Sequence, residues 1–242
     1  MSTNNSVDVL AFGAHPDDVE ACAGGYLLKA KQKGLTTGIV DLTLGEKGTN
    51  GTIEIRKKEA DEGAKILGCS FRENLELPDG NISVNKENEM AVLEVIRKYR
   101  PETVLAPWLE DRHPDHEDVG KLVSKASMYS GLAKIETEYE RWRPKKIFYY
   151  MLHYDFKPSF VVDISDVFET KIRSLKAHKS QFDPNGKGVI KSYINKPEFL
   201  EFWEIRSRYY GYRIGAKYGE PYKVRGGELG VIDIQGLITN CI

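Results

Sequence analysis

Two short apolar runs, residues 7–12 and 103–108, each lead into a cluster of histidine and aspartate. The first passes through Gly13 into Ala14-His15-Pro16-Asp17-Asp18-Val19-Glu20, and the second leads to His113-Pro114-Asp115-His116. A short apolar run bounded by turn residues reads as a buried strand. A histidine and two adjacent carboxylates therefore sit where a strand stops and a helix begins. In an open α/β sheet that carboxyl edge is where ligands bind. Two such clusters at one edge require a fold that sets distant strands side by side, and they point to a metal site built from both.

The rest of the chain repeats the same rhythm. Strands are predicted over 38–44, 71–77, 147–152 and 160–164, and helices over 19–33, 52–67, 88–99, 118–129, 165–178 and 197–212. Gly34 and Gly68 stand where helix C-caps belong, and Thr52 and Ser165 where N-caps belong. Asp17 and Asp18 suit the orphan N–H groups at the start of the first helix. Strand–helix alternation predicts an α/β fold, a mostly parallel sheet with helices on both faces. The final third departs from that rhythm, and the glycine-rich segment from Gly215 has no clear assignment. No linker-like stretch sets it apart, so the expectation is one domain over 1–242, with a core over about 7–182 and a C-terminal elaboration from 183.

Charge narrows the partners. With 35 basic and 36 acidic residues the net charge is −1, so no bulk field favours nucleic acid or an anionic membrane. No apolar run approaches the roughly 18 residues of a membrane span. The start of the chain lacks the basic and apolar regions of a signal peptide. Cys22, Cys69 and Cys241 are widely spaced with no CxxC pair, which argues against a disulfide framework and against a thiolate zinc site. A cytoplasmic protein is expected.

Each candidate residue has a plainer reading. Asp17 and Asp18 could simply cap a helix, but one cap needs one carboxylate, and two adjacent ones repel unless a cation or proton offsets them. A dinucleotide-binding turn needs GxGxxG, and Gly13-Ala14-His15 lacks it. His113-Pro114-Asp115-His116 could be a solvated loop. Together, one histidine and one aspartate from the first cluster and one histidine from the second make the two-nitrogen, one-carboxylate set of a catalytic zinc. Ferrous iron accepts the same set. Arg56 could pair with Glu59 on a helix surface, and Asp79 could form a turn before Gly80. His178 reads as complementing a helix C-terminus, and His153, among apolar neighbours, as structural. Tyr193 could be a mobile pocket residue. The aromatic and arginine-rich segment 203–213 suggests an oligomer interface or a pocket wall rather than a nucleic-acid surface.

These motifs resemble those of the LmbE-like, or PIG-L, N-acetylglucosamine deacetylases. The loop Leu42-Thr43-Leu44-Gly45-Glu46-Lys47-Gly48-Thr49-Asn50-Gly51 with Arg56 and Glu59, then Leu77-Pro78-Asp79-Gly80, then Ala177-His178-Lys179-Ser180-Gln181, are similar to further blocks of that family, in its order. Within it the chain most resembles the bacillithiol-pathway enzymes of bacilli, which remove acetate from N-acetylglucosaminyl malate. The resemblance implies a Rossmann-like fold and a zinc ion on His15, Asp18 and His116. It implies Asp17 as general base, His113 as the oxyanion's partner, and Asp115 behind the histidines. It implies Arg56 and Asp79 as holders of sugar hydroxyls, with Glu46 at the pocket wall. A small amino-sugar substrate and a homo-oligomer, up to a hexamer, complete the expectation. Chitin oligosaccharides or a thiol conjugate's amide are alternative substrates, and a non-catalytic sugar- or metal-binding module is the alternative of another class.

Overall fold

The computed structural model describes residues 6–226 apart from 184 and 187; Cys241 and the rest of the chain after 226 lie outside the described residues. Seven strands form one sheet in the order β3-β2-β1-β4-β5-β7-β6. Its parallel part comprises β1 (Val9–Gly13), β2 (Thr37–Thr43), β3 (Phe71–Leu77), β4 (Thr103–Pro107) and β5 (Lys146–Tyr150). Every residue of β1 and β2 is buried, as expected of strands covered on both faces. β1 sits between β2 and β4, in register with Thr37 and Thr103 at Val9. The strand order reverses between β1 and β4, so the crevice at their carboxyl ends is the topological switch point. Both His/Asp clusters leave the sheet there.

Helices cover both faces. On one, α1 (Asp18–Cys22), α2 (Gly24–Gln32), α3 (Ile53–Leu67), α6 (Phe168–Leu175) and α8 (Pro197–Tyr212) pack a core that includes Leu27, Leu67, Leu175 and Trp203. On the other, α4 (Lys86–Tyr99) and α5 (Pro114–Tyr129) pack Val92, Ile96, Val119 and Leu122 against the sheet. The short α7 (Lys179–Phe182) lies beside α3. The α/β architecture with helices on both faces is the one the alternation predicts. Thr52 caps α3, accepting from Ile55 N–H at 3.3 Å, and Gly68 closes it at φ 71°.

Four local details differ from expectation. The helix expected over 19–33 is two, broken at Ala23 (φ −130°). The Glu220 carboxylate reaches across from β7 (Gly219–Lys223) to accept from Gly25 N–H at 3.0 Å and Tyr26 N–H at 2.7 Å. A buried carboxylate is favoured at a helix N-terminus, so the chain breaks after α1 and restarts as α2. A Cβ on Gly25 would lie 2.6 Å from Ile164 Cγ2, which is why the position is glycine. Next, α5 begins at Pro114 rather than 118, with His113 as its N-cap. Proline at N1 has no N–H to leave orphaned. Ser165 does not cap a helix; its hydroxyl donates to Asp163 at 2.6 Å, and α6 starts after Val167.

The fourth difference concerns the C-terminal third. The segment from Gly215, left without an assignment above, carries β7, which inserts between β5 and β6 (Phe160–Asp163), antiparallel to both. This completes the sheet and anchors α8 over its edge.

Candidate active site

The loop after β1 carries the first cluster. Asp17 sits at the N-cap position of α1 with φ 132° and makes no capping hydrogen bond. Asp18 does not cap outward either; its Oδ2 accepts from the N–H groups of Ala14 and His15, both at 3.0 Å. These bonds curl the loop so that the Asp18 carboxylate faces the second cluster. Its Oδ1 lies 3.3 Å from His116 Nε2 and its Oδ2 lies 3.6 Å from His15 Nδ1. One ligand atom from each of His15, Asp18 and His116 falls within a common 4.8 Å.

Burial would push the two imidazoles toward neutrality, yet their acidic neighbours win. His15 is raised well above its usual value by Asp115, Asp18 and Asp79, and His116 is pushed up to about 9 by Asp18 and Asp111. Asp18, although buried, is held well below the usual carboxylate range by His116 and His15. The cluster therefore calls for positive charge at its centre, which protons on the imidazoles or a divalent cation can supply. The residues present fit a metal of the zinc or ferrous type.

Around that triad the structure assembles partners from the segments that follow β2, β3 and β4. Asp79 Oδ1 and Asp115 Oδ2 lie 3.1 and 3.4 Å from His15 Nε2. Asp79 Oδ2 accepts from Lys47 N–H at 2.8 Å, and Asp115 Oδ2 accepts from Gly80 N–H at 2.7 Å. Asp115 thus stands behind His15 and ties the Asp79 turn to α5. His113 Nδ1 accepts from Asp115 N–H at 3.3 Å, so its Nε2 carries the proton and can donate. Burial and the charges of His15 and His116 lower His113, which keeps it neutral.

Two residues not predicted for the site belong to it. Asp111 Oδ1 lies 2.8 Å from His116 Nδ1 and 2.9 Å from His153 Nδ1. A carboxylate behind a metal-binding imidazole fixes its tautomer and orientation. His153, read from sequence as structural, lines the cavity and stacks on His116, with ring centroids 5.4 Å apart. The usable signal was position: Asp111 follows β4 and His153 follows β5, both at the carboxyl edge.

Other residues take different places from those expected. Arg56 is buried and pairs with loop carbonyls rather than with Glu59; Nη1 donates to Gly45 O at 2.6 Å and Nη2 to Pro16 O at 2.9 Å. A Cβ on Gly45, at φ 66°, would overlap the guanidinium at 1.9 Å. Glu59 accepts from Ser180 N–H and Oγ instead, at 2.7 and 2.6 Å. Glu46 is exposed and accepts from Asp79 N–H at 2.8 Å, holding the turn from outside the cavity lining. His178 does not stand at a helix C-terminus. It is fully buried, and its Nε2 lies 2.9 Å from Glu20, which also pairs with Arg72. Tyr193 is exposed, beneath Arg112 and edge-on to Phe199.

The resulting cavity encloses about 280 Å³. His15, Asp17, Asp18, His113 and His116 form its polar end, and Leu152, Phe182, Phe199 and Trp203 its apolar wall. A few convergent polar groups against an apolar wall is how small-molecule sites are built. Segment 203–213 thus contributes Trp203 to a pocket wall. Asp17, at the polar end, is raised to about 6 by burial, a shift that Arg56 opposes. A carboxyl poised near neutrality suits proton transfer.

The PIG-L family model, described as GlcNAc-PI de-N-acetylase, matches residues 10–127. The diacetylchitobiose deacetylase of Thermococcus kodakarensis is 32% identical over 234 residues, covering 90% of this chain and 82% of that protein. A conserved protein of Thermus thermophilus superposes with a TM-score of 0.85 at 38% identity, over 93% of this chain and 98% of its own. The N,N'-diacetylchitobiose deacetylase of Pyrococcus horikoshii superposes with a TM-score of 0.80 at 28% identity, over 90% and 84%. More distant are a probable N-acetyl-alpha-D-glucosaminyl L-malate deacetylase 2 of Bacillus cereus (25% identical, 85% of this chain and 97% of that protein) and the 4-oxalmesaconate hydratase of Pseudomonas putida (24%, 71% and 73%). With the switch-point cavity and its two His/Asp clusters in place, these similarities lead to one conclusion: the chain belongs to the PIG-L, LmbE-like family.

Proposed function

We propose that this chain is a metal-dependent hydrolase that removes the acetyl group from an N-acetylglucosamine derivative. The observation that carries the reading is the convergence of His15, Asp18 and His116 within 4.8 Å in the cavity that Asp17 and His113 also line. His15, Asp18 and His116 would hold the ion, zinc by donor set with ferrous iron as the second choice. Such an ion supplies Lewis acidity toward the amide carbonyl and eases deprotonation of water.

The protein's own residues do the rest. Asp17 accepts a proton from the attacking water and returns it to the sugar nitrogen as acetate leaves. His113, neutral with Nε2–H outward, donates to the oxygen that gains charge. Asp115 fixes His113 through its N–H and supports His15 through its carboxylate. Asp79 lines the cavity beside His15 and is the candidate partner of a sugar hydroxyl. Phe199 and Trp203 offer an apolar wall for the sugar's less polar face.

Two substrates stand out. The resemblance to the bacillithiol-pathway enzymes favours N-acetylglucosaminyl malate, whereas the higher identity to a diacetylchitobiose deacetylase favours a chitin-type disaccharide. The disaccharide ranks first because that likeness is the stronger. Retention of Asp17 and His113 speaks against a non-catalytic binding module. The reading further holds that the protein works in the cytoplasm as a homo-oligomer, up to a hexamer; among the described residues no helix is long and apolar enough to cross a membrane.

Acetate release from diacetylchitobiose, N-acetylglucosaminyl malate and N-acetylglucosamine by zinc- and iron-loaded protein tests the reading, with hydration of 4-oxalmesaconate as the competing assay. Absence of acetate from all three sugars while metal is bound would refute it. Light scattering of the purified protein tests the oligomer.

A further inference from the structure

The Asp111 carboxylate holds two imidazoles in one orientation. Its Oδ1 lies 2.8 Å from His116 Nδ1 and 2.9 Å from His153 Nδ1, and the two rings are 7° from parallel. The backbone N–H of His153 also donates to Asp111 Oδ2 at 2.8 Å, which locks the residue in place. An ionised carboxylate only accepts, so each ring presents Nδ1–H to it, and the neutral form of either imidazole then carries its lone pair on Nε2. His116 Nε2 turns to Asp18. His153 lines the cavity, and among the described residues its Nε2 has no hydrogen-bond partner and is not sealed from solvent. The structure therefore contains a second oriented imidazole, stacked beside a metal-ligand candidate, with a bare acceptor nitrogen. A ring hydroxyl is the donor that an amino sugar offers in number.

Resting on the deacetylase reading above, we propose that His153 is a specificity-determining residue whose Nε2 accepts a hydrogen bond from a hydroxyl of the amino-sugar substrate. Sites built to bond a hydroxyl reject analogues that lack it, because the buried partner is left unpaired. The sugar ring is thereby registered against the pair of imidazoles, and the acetamido group is directed to His15, Asp18 and His116.

His153→Asn is the direct test, because its amide nitrogen replaces Nδ1 toward Asp111 while Nε2 is removed. Monodeoxy analogues of N-acetylglucosamine are compared with the parent sugar in wild type and variant. In wild type one deoxy analogue should lose about tenfold in kcat/KM, the worth of one hydrogen bond. In His153→Asn the parent sugar should fall by that factor and the discrimination against that analogue should vanish, with metal affinity unchanged. His153→Phe, which keeps a stacked ring, should behave alike. Unaltered discrimination in both variants overturns the proposal. So does loss of metal from His153→Asn, which would make His153 a support for Asp111 and His116. If wild type releases no acetate from any sugar, the deacetylase reading fails by itself. Calorimetric binding of glucosamine and its deoxy forms then makes the same comparison without turnover, and equal discrimination in wild type and variant rejects the role of His153.

Discussion

Arg56 stands beside Asp17 with its Nη2 3.5 Å from the Asp17 carboxylate, and the same nitrogen donates to the carbonyl of Pro16 at 2.9 Å. Asp17 needs that support, since its φ of 132° is a conformation a non-glycine residue adopts at a cost of about 1–3 kcal/mol. The guanidinium fork also binds Gly45 O, so one side chain ties the loop after β1 to the loop after β2. The resemblance implies that Arg56 holds sugar hydroxyls; the bonds it makes here add a second role, bracing the loop that carries Asp17, the proposed general base.

Arg56→Lys should lower kcat by roughly ten- to a hundredfold, the range for losing a hydrogen bond to a charged group, with KM little changed. A substrate-binding role predicts the reverse, a raised KM at preserved kcat. Steady-state kinetics on the best sugar substrate separate the two.

Asp17→Asn should lower kcat by about a hundred- to ten-thousandfold, and His113→Ala by about a hundredfold or more. Both should retain metal, because neither residue is in the His15, Asp18, His116 set. Metal analysis beside turnover checks this, and full activity in either variant would remove the role assigned to it.

Asp111→Ala should weaken metal binding by about 10–100-fold, since it frees His116 Nδ1 from its partner. Competition with a chelator of known affinity measures the change. Dialysis of the wild type against that chelator should abolish acetate release, and added zinc or ferrous ion should restore it.

Glu20→Ala should destabilise the fold by about 3–5 kcal/mol, the cost of leaving a buried charge without its partner. Glu20 is fully buried against Arg72 and His178, and its loss takes one of two carboxylates from the Arg72 guanidinium, leaving Asp41, and removes the partner of His178 Nε2. Chemical denaturation reads the loss directly. An unchanged midpoint would mean that water reaches the cluster.

Much of the scaffold is legible in the residues alone. The apolar runs that form β1 and β4 are continuous because both faces of those strands are covered, and each leads toward its His/Asp cluster at the same edge. The boundaries of α1 and α5 are not legible in that way. Each is set by a contact outside the repeating pattern: Glu220 restarts the chain at Gly25, and the His113 ring caps α5 ahead of the pattern-based start. Local patterning carries no trace of a partner nearly two hundred residues away.

The sequence by itself determined the alternation of elements and the donor types at the two clusters, since periodicity and residue chemistry are local properties. Only the tertiary structure decided that β1 and β4 are neighbours, that Asp111 serves both His116 and His153, that Arg56 braces Asp17, and that β7 enters the sheet between β5 and β6. Each of these depends on which surfaces meet once the apolar faces are buried, and burial is a property of the whole chain rather than of any stretch of it.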